Sequence, residues 1–129
     1  MPIHQEATFP VAPERVYEAL TNGAEFSAAT GKPAHIGQVG GARFSVFGDW
    51  IEGRQIELVP NERVVQAWRF KEWDAGVYSL VRFTLTREAE GTRLSVDHDA
   101  YPAAYHDHLS TNWRPFYFEP FAKHFGARP

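Results

Sequence analysis

At 129 residues the chain has the length at which one hydrophobic core buries about two-thirds of the unfolded surface, so a single domain spanning residues 1–129 is expected. A formal charge of −3 with Lys and Arg scattered along the chain leaves no footprint for a polyanion, and nucleic acid is not an expected partner. The absence of cysteine excludes disulfides, thiolate metal sites and a cysteine nucleophile together.

No basic segment followed by an apolar run opens the sequence, and eighteen successive apolar residues occur nowhere. No membrane span is expected, and the cytoplasm is the expected location.

Ile3 to Phe9 reads as a first strand, closed by Pro10. Pro13 then suits the first position of a helix, and Val16, Ala19 and Leu20 recur at helical spacing. Asn22-Gly23 offers a left-handed residue to stop that helix. A second short helix is expected over Glu25 to Thr30, ended by Gly31 and anchored by Phe26.

From Gly40-Gly41 the apolar period changes to two. Five strands are predicted, over Ala42–Phe47, Trp50–Val59, Arg63–Phe70, Val77–Glu88 and Thr92–Ala100. Gly48-Asp49, Pro60-Asn61, Trp73 to Gly76 and Glu90-Gly91 separate them. Separators this short enforce antiparallel neighbours, because a parallel return needs about a dozen residues or more. Alternation places Ser79, Val81, Phe83 and Leu85 on one face, with Leu94, Val96 and His98 and then Val64, Gln66, Trp68 and Phe70 on the same inward side. Gln66, Arg82 and His98 are the polar groups that this pattern brings near the interior.

The last stretch, Ala103 to Gly126, is the most aromatic. On a helical period Trp113, Phe116, Tyr117, Phe121 and Phe125 share an arc of roughly half the circumference, with Glu119, Ala122 and Lys123 opposite. Each such ring buries about 150–250 Å², so the arc needs a broad apolar partner, and a curved sheet meets that need. Pro115 and Pro120 each remove a backbone donor. The expected remedy is a new helical segment capped by Thr111 or Asn112, with Pro115 in its first turn and Pro120 left as a kink.

Val64 to Trp73, Gly76, the Val81-Arg82-Phe83-Thr84-Leu85 strand, Gly91-Thr92, Pro102, Trp113, Phe116 to Glu119 and Phe125-Gly126 follow one another in a recognisable order. Upstream, Gly40-Gly41, Phe44, Gly53 and Leu58-Val59-Pro60 continue it. Together they resemble the C-terminal domain of the activators of the heat-shock-protein-90 ATPase. The resemblance implies an α+β START-like helix-grip fold, in which a curved antiparallel sheet of about six strands wraps around a long C-terminal helix and two short helices follow the first strand. Asn112 departs from the glycine usual before the tryptophan, and Pro115 is a second departure. Eukaryotic co-chaperones of this family carry a further N-terminal domain that supplies much of the chaperone contact. These 129 residues hold no counterpart of it, so little stimulation by this chain alone is expected.

Motifs for catalysis are absent: no His-Glu-x-x-His, no Gly-x-Ser-x-Gly, no phosphate loop and no calcium loop. His106 and His108 are two apart and cannot face one another on a helix, so they are read as solvated, and neither a metal nor a cofactor is expected. Asp97 and Asp99 share an outward strand face and are read as a solvated edge. Trp50, Trp68 and Trp73 are first read as core or loop anchors.

Three function classes remain. The favoured one is a binding module whose Trp68, Phe83, His98, Trp113, Phe116 and Tyr117 line a cavity for a small hydrophobic molecule, with His98 as a possible orienting group. The second is a regulator of a heat-shock-protein-90 chaperone acting through its surface. The third is an enzyme of the cyclase or hydrolase type, since one fold hosts all three.

Overall fold

The computed structural model describes residues 2–126; Met1 and residues 127–129 of the expected domain lie outside them. Strand β1 (Ile3–Phe9) leads into helices α1 (Pro13–Thr21) and α2 (Gly23–Thr30). Strands β2 (Ala34–Ile36), β3 (Arg43–Val46), β4 (Ile51–Val59), β5 (Arg63–Phe70), β6 (Ser79–Glu88) and β7 (Gly91–Asp99) follow. A 3₁₀ turn at Ala103–Tyr105 then opens α3 (His106–Trp113), a π-turn (Arg114–Phe118) and α4 (Glu119–His124), which run on as one long C-terminal helix.

The strands form one antiparallel sheet of seven in the order β1-β7-β6-β5-β4-β3-β2. This is the START-like helix-grip arrangement, with one strand more than the expected six. The addition is β2, which pairs Ala34 with Val46 and Ile36 with Phe44. At three residues between Pro33 and Gly37 it is too short to show a period of two.

Asn22 does not stop α1 in a left-handed conformation, and Gly23 lies inside α2. Asn22 is extended (φ −107°), and its side-chain oxygen accepts from the Glu25 N–H at 3.1 Å, so one residue ends α1 and caps α2. The stop at Gly31 is as expected, at φ 74°.

The inward faces follow the alternation. Ser79, Val81, Phe83 and Leu85 on β6, Leu94, Val96 and His98 on β7, and Val64, Gln66 and Trp68 on β5 are all buried. Gln66 is satisfied there by Gln55, whose Oε1 accepts from it at 3.2 Å while Gln55 Nε2 donates to the Gly37 carbonyl. A bulge between Gln55 and Glu57 turns Ile56 outward. Arg82 is a correction: it lies on the outer face, 55% exposed, beside Asp97. Asp97 accepts from His4 across the β1–β7 pair at 2.7 Å, and Glu6 holds the other ring nitrogen.

The terminal helix departs from expectation at its prolines. No new segment begins at Thr111 or Asn112; α3 runs through both. The chain instead widens to a π-turn, in which the Glu119 N–H reaches the Arg114 carbonyl five residues back. That extra residue rotates the face. Phe118 enters the core at 2% exposure and Phe116 leaves it at 49%, while Trp113, Tyr117, Phe121 and Phe125 stay buried as expected. Trp113 packs on Phe83 and Trp68, Tyr117 on Phe26 and Phe83, and Phe121 on Phe9 and Phe26.

Candidate functional site

The π-turn and the β3–β4 turn face one another across a cavity of about 500 Å³. Ile51, Trp68, Leu109, Trp113 and Tyr117 form its buried wall. Phe47, Trp50, Phe70 and Phe116 complete the apolar lining nearer solvent. Among the described residues, Lys32, Asp49, His108 and Asn112 bring charged or amide and imidazole groups to the boundary, beside the Tyr117 hydroxyl and the indole N–H groups of its tryptophans. A mostly apolar concavity with a few polar groups, in the size range of small-molecule sites, is what ligand binding needs.

Local structure explains the opening. Phe47 and Gly48 both take positive φ, 56° and 73°, so the chain reverses tightly after β3. The Gly48 N–H donates to the Pro33 carbonyl at 2.9 Å, which ties this turn to the α2–β2 connection and carries Lys32 to the same rim. The Phe47 ring meets Phe26, Phe116 and Tyr117 edge-on, at centroid separations of 5.4, 5.8 and 5.3 Å. A bulky residue in the left-handed region is uncommon, and here the aromatic contacts hold it. Trp50 is 45% exposed, a rim residue more than a core anchor. Its face lies under Lys71, whose ammonium is 4.6 Å from the ring centre and 3.2 Å from Asp49 Oδ1.

Of the six candidate residues, Trp68, Trp113, Phe116 and Tyr117 line the cavity together. Phe83 and His98 do not. Phe83 lies behind Trp113 and Tyr117, 1% exposed, and His98 lies fully buried behind Trp68 and Trp113, at 4.8 and 5.5 Å between ring centres. His98 thus supports the wall rather than facing its contents. Burial lowers its pKa to about 4, against a weaker opposing pull from Asp99. The Tyr117 phenol is pushed well above its ordinary value, chiefly by burial. Both rings are neutral near pH 7.

Leu109 is a wall residue that the aromatic pattern passed over, although its place four residues before Trp113 carries the same helical signal. His106 is half-buried against Tyr101 rather than solvated, and His108 is exposed. Among the described residues no group of three or more His, Cys, Asp or Glu side chains could hold a metal ion, and no helix is long and apolar enough to cross a membrane.

Comparison with known proteins agrees with this architecture. The family model described as "Activator of Hsp90 ATPase homolog 1-like protein" matches residues 10–126. Activator of 90 kDa heat shock protein ATPase homolog 1 from Homo sapiens is 29% identical over 119 residues, covering 92% of this chain and 35% of that protein. The corresponding Dictyostelium discoideum homolog is 31% identical over 87 residues, 67% of this chain and 22% of that protein. This chain therefore spans about a third or less of these relatives' length. An HSP90 activator from Plasmodium falciparum superposes with a TM-score of 0.84 at 23% identity, covering 92% of this chain and 91% of that one. The Aha1 dimer from Colwellia psychrerythraea superposes at 0.83 with 16% identity, covering 100% and 99%. At these identities the superpositions show the fold.

Proposed function

The chain belongs to the activator of Hsp90 ATPase homolog 1-like family, and from that premise we propose that it binds a small hydrophobic molecule between its sheet and its C-terminal helix. The observation that carries this reading is the 500 Å³ cavity itself, walled by Trp68, Trp113, Tyr117, Leu109 and Ile51. Burying on the order of 250 Å² of ligand there provides about 6 kcal/mol before association costs. Dissociation constants of about tens of micromolar or weaker follow.

Trp50, Trp68 and Trp113 all border the cavity, so bound ligand reports directly in tryptophan fluorescence. Titration with a panel of small apolar molecules is expected to change that emission and raise the melting temperature. Asn112→Trp, which places a large ring on the half-buried helix face lining the space, is expected to abolish the response while leaving a cooperative melt. A panel that changes neither observable at high micromolar concentration would overturn the reading.

A second reading, regulation of a heat-shock-protein-90 chaperone, is favoured by the names of the relatives. Its test is the chaperone's ATPase rate with this protein added. Little or no stimulation is expected, and a several-fold increase at micromolar protein would put regulation first.

A further inference from the structure

We infer that the molecule taken by this cavity is an apolar monoanion, oriented with its body against the aromatic wall and its negative group at the Lys32 rim. The inference rests on the reading of the cavity as a ligand site and adds the chemistry of its occupant.

The wall offers no formal counter-charge, only neutral polar atoms: the indole N–H groups of Trp68 and Trp113 and the Tyr117 hydroxyl. Ile51 and Leu109 are apolar and buried, and the neutral Trp113 and Tyr117 rings are buried with them. A charge carried into that space would lose its hydration with no counter-charge to replace it. Any ionic group on the ligand must therefore stay at the rim, where Lys32, Asp49 and His108 are exposed.

The rim charges are unequal. Asp49 is already engaged by Lys71 at 3.2 Å, and Lys71 is further held over the Trp50 ring. Lys32 makes no ion pair among the described residues, and its backbone N–H is taken by the Thr30 hydroxyl, which fixes the base of the side chain. Asp49 thus already has a cationic partner, whereas Lys32 has no anionic one among the described residues. His108 and Asn112 across the opening add hydrogen-bond donors that suit a carboxylate or similar anion. A cationic ligand would have to share Asp49 with Lys71. An anion meets Lys32 directly.

Decanoate, decanol and decyltrimethylammonium share a tail and differ in charge, and they serve as the probes, read by tryptophan quenching and calorimetry. Decanoate is expected to bind more tightly than decanol by about two- to five-fold, the range for one exposed ion pair, and decyltrimethylammonium more weakly than either. Lys32→Ala should remove the preference for decanoate and leave decanol affinity unchanged. Lys32 is exposed, so the variant keeps the fold, and retained decanol binding verifies that. Equal binding of decanoate and decanol, or a preference that survives in Lys32→Ala, overturns the inference while the cavity reading stands. Tighter binding of the cation overturns it too, in favour of Asp49. Failure of all three probes to bind counts against both readings.

Discussion

Ser79 Oγ and His98 Nε2 lie 2.8 Å apart on the buried face of the sheet, and the same hydroxyl lies 2.8 Å from the Trp68 carbonyl oxygen. The carbonyl can only accept, so the one hydroxyl proton goes to it, and the Ser79 oxygen receives its second bond from His98. His98 therefore carries its proton on Nε2. Its Nδ1 is a buried lone pair with no hydrogen-bond partner among the described residues. Adding a proton there would bury an unpaired charge, which is the physical content of the pKa near 4.

That shift predicts an acid-sensitive fold. Unfolded, His98 protonates near its ordinary 6.5, whereas folded it resists until about 4. The unfolded state thus gains a proton first as pH falls. The stabilisation is complete above 6.5, is lost between 6.5 and about 4, and changes no further below that. One proton over this window amounts to about 3 kcal/mol. His4, raised by its bonds to Asp97 and Glu6, has the opposite sign and acts as pH rises above 6.5, so the two windows separate. Urea unfolding across pH 4–7 should show the loss in the wild type, and His98→Gln should flatten it. An unchanged slope in the variant would remove His98 as its source.

The π-turn makes a prediction that a regular helix would reverse. Phe118→Ala should cost about 3–5 kcal/mol, because that ring is 2% exposed, whereas Phe116→Ala should cost about 1 kcal/mol through its contact with Phe47. Chemical denaturation of the two variants decides the register. A larger loss at Phe116 would restore the uninterrupted helical face.

Most of the fold was legible because its signals are local. The inward alternation of β6 and β7 needs only a period of two, and the aromatic face of the last helix needs only 3.6, so the buried positions of Phe83, His98, Trp113 and Tyr117 were readable. Phe116 was misplaced because a wheel assumes constant pitch, and the relief that Pro115 and Pro120 find in an added residue has no signature of its own. The cavity was half legible. Trp68, Trp113 and Tyr117 lie on predicted faces and Phe116 borders the space from off its predicted one, but whether Phe83 and His98 stand in front of those rings or behind them depends on sheet curvature, which a period does not carry. Phe47, Trp50 and Lys32 meet through a turn whose positive φ at Phe47 follows from tertiary contacts.

Gly53 should not tolerate a methyl group. It sits opposite Trp68 in the β4–β5 ladder, and a Cβ there would come 1.7 Å from the Ala67 carbonyl oxygen and 2.9 Å from the Phe44 ring. The obstructing atoms are mainly backbone, so the strands must separate. Gly53→Ala is expected to cost upward of about 3 kcal/mol, seen as a large fall in melting temperature. A loss under about 1 kcal/mol would mean that the two strands are set farther apart than described.

Arg69 governs the loop after β5. Its buried guanidinium donates to the carbonyls of Val77 at 3.2 Å, Asp74 at 3.1 Å and Trp73, and to the Glu52 carboxylate at 3.0 Å. Residues 71–77 thus close around one side chain, and Trp73 is seated against Trp68 and Phe70 behind the cavity lining. Lysine cannot reproduce this fork, since its three donors radiate from a single atom. Arg69→Lys should leave the carbonyls of Trp73 and Val77 poorly paired, while the Asp74 carbonyl keeps the Val77 N–H and Glu52 keeps water, and should cost about 1–3 kcal/mol. Amide exchange in residues 71–77 should accelerate while that of β6 and β7, held by their own ladder, does not. Acceleration spread evenly over the sheet would show that the arginine supports the core as a whole, and unchanged exchange in the loop would show that its backbone holds itself.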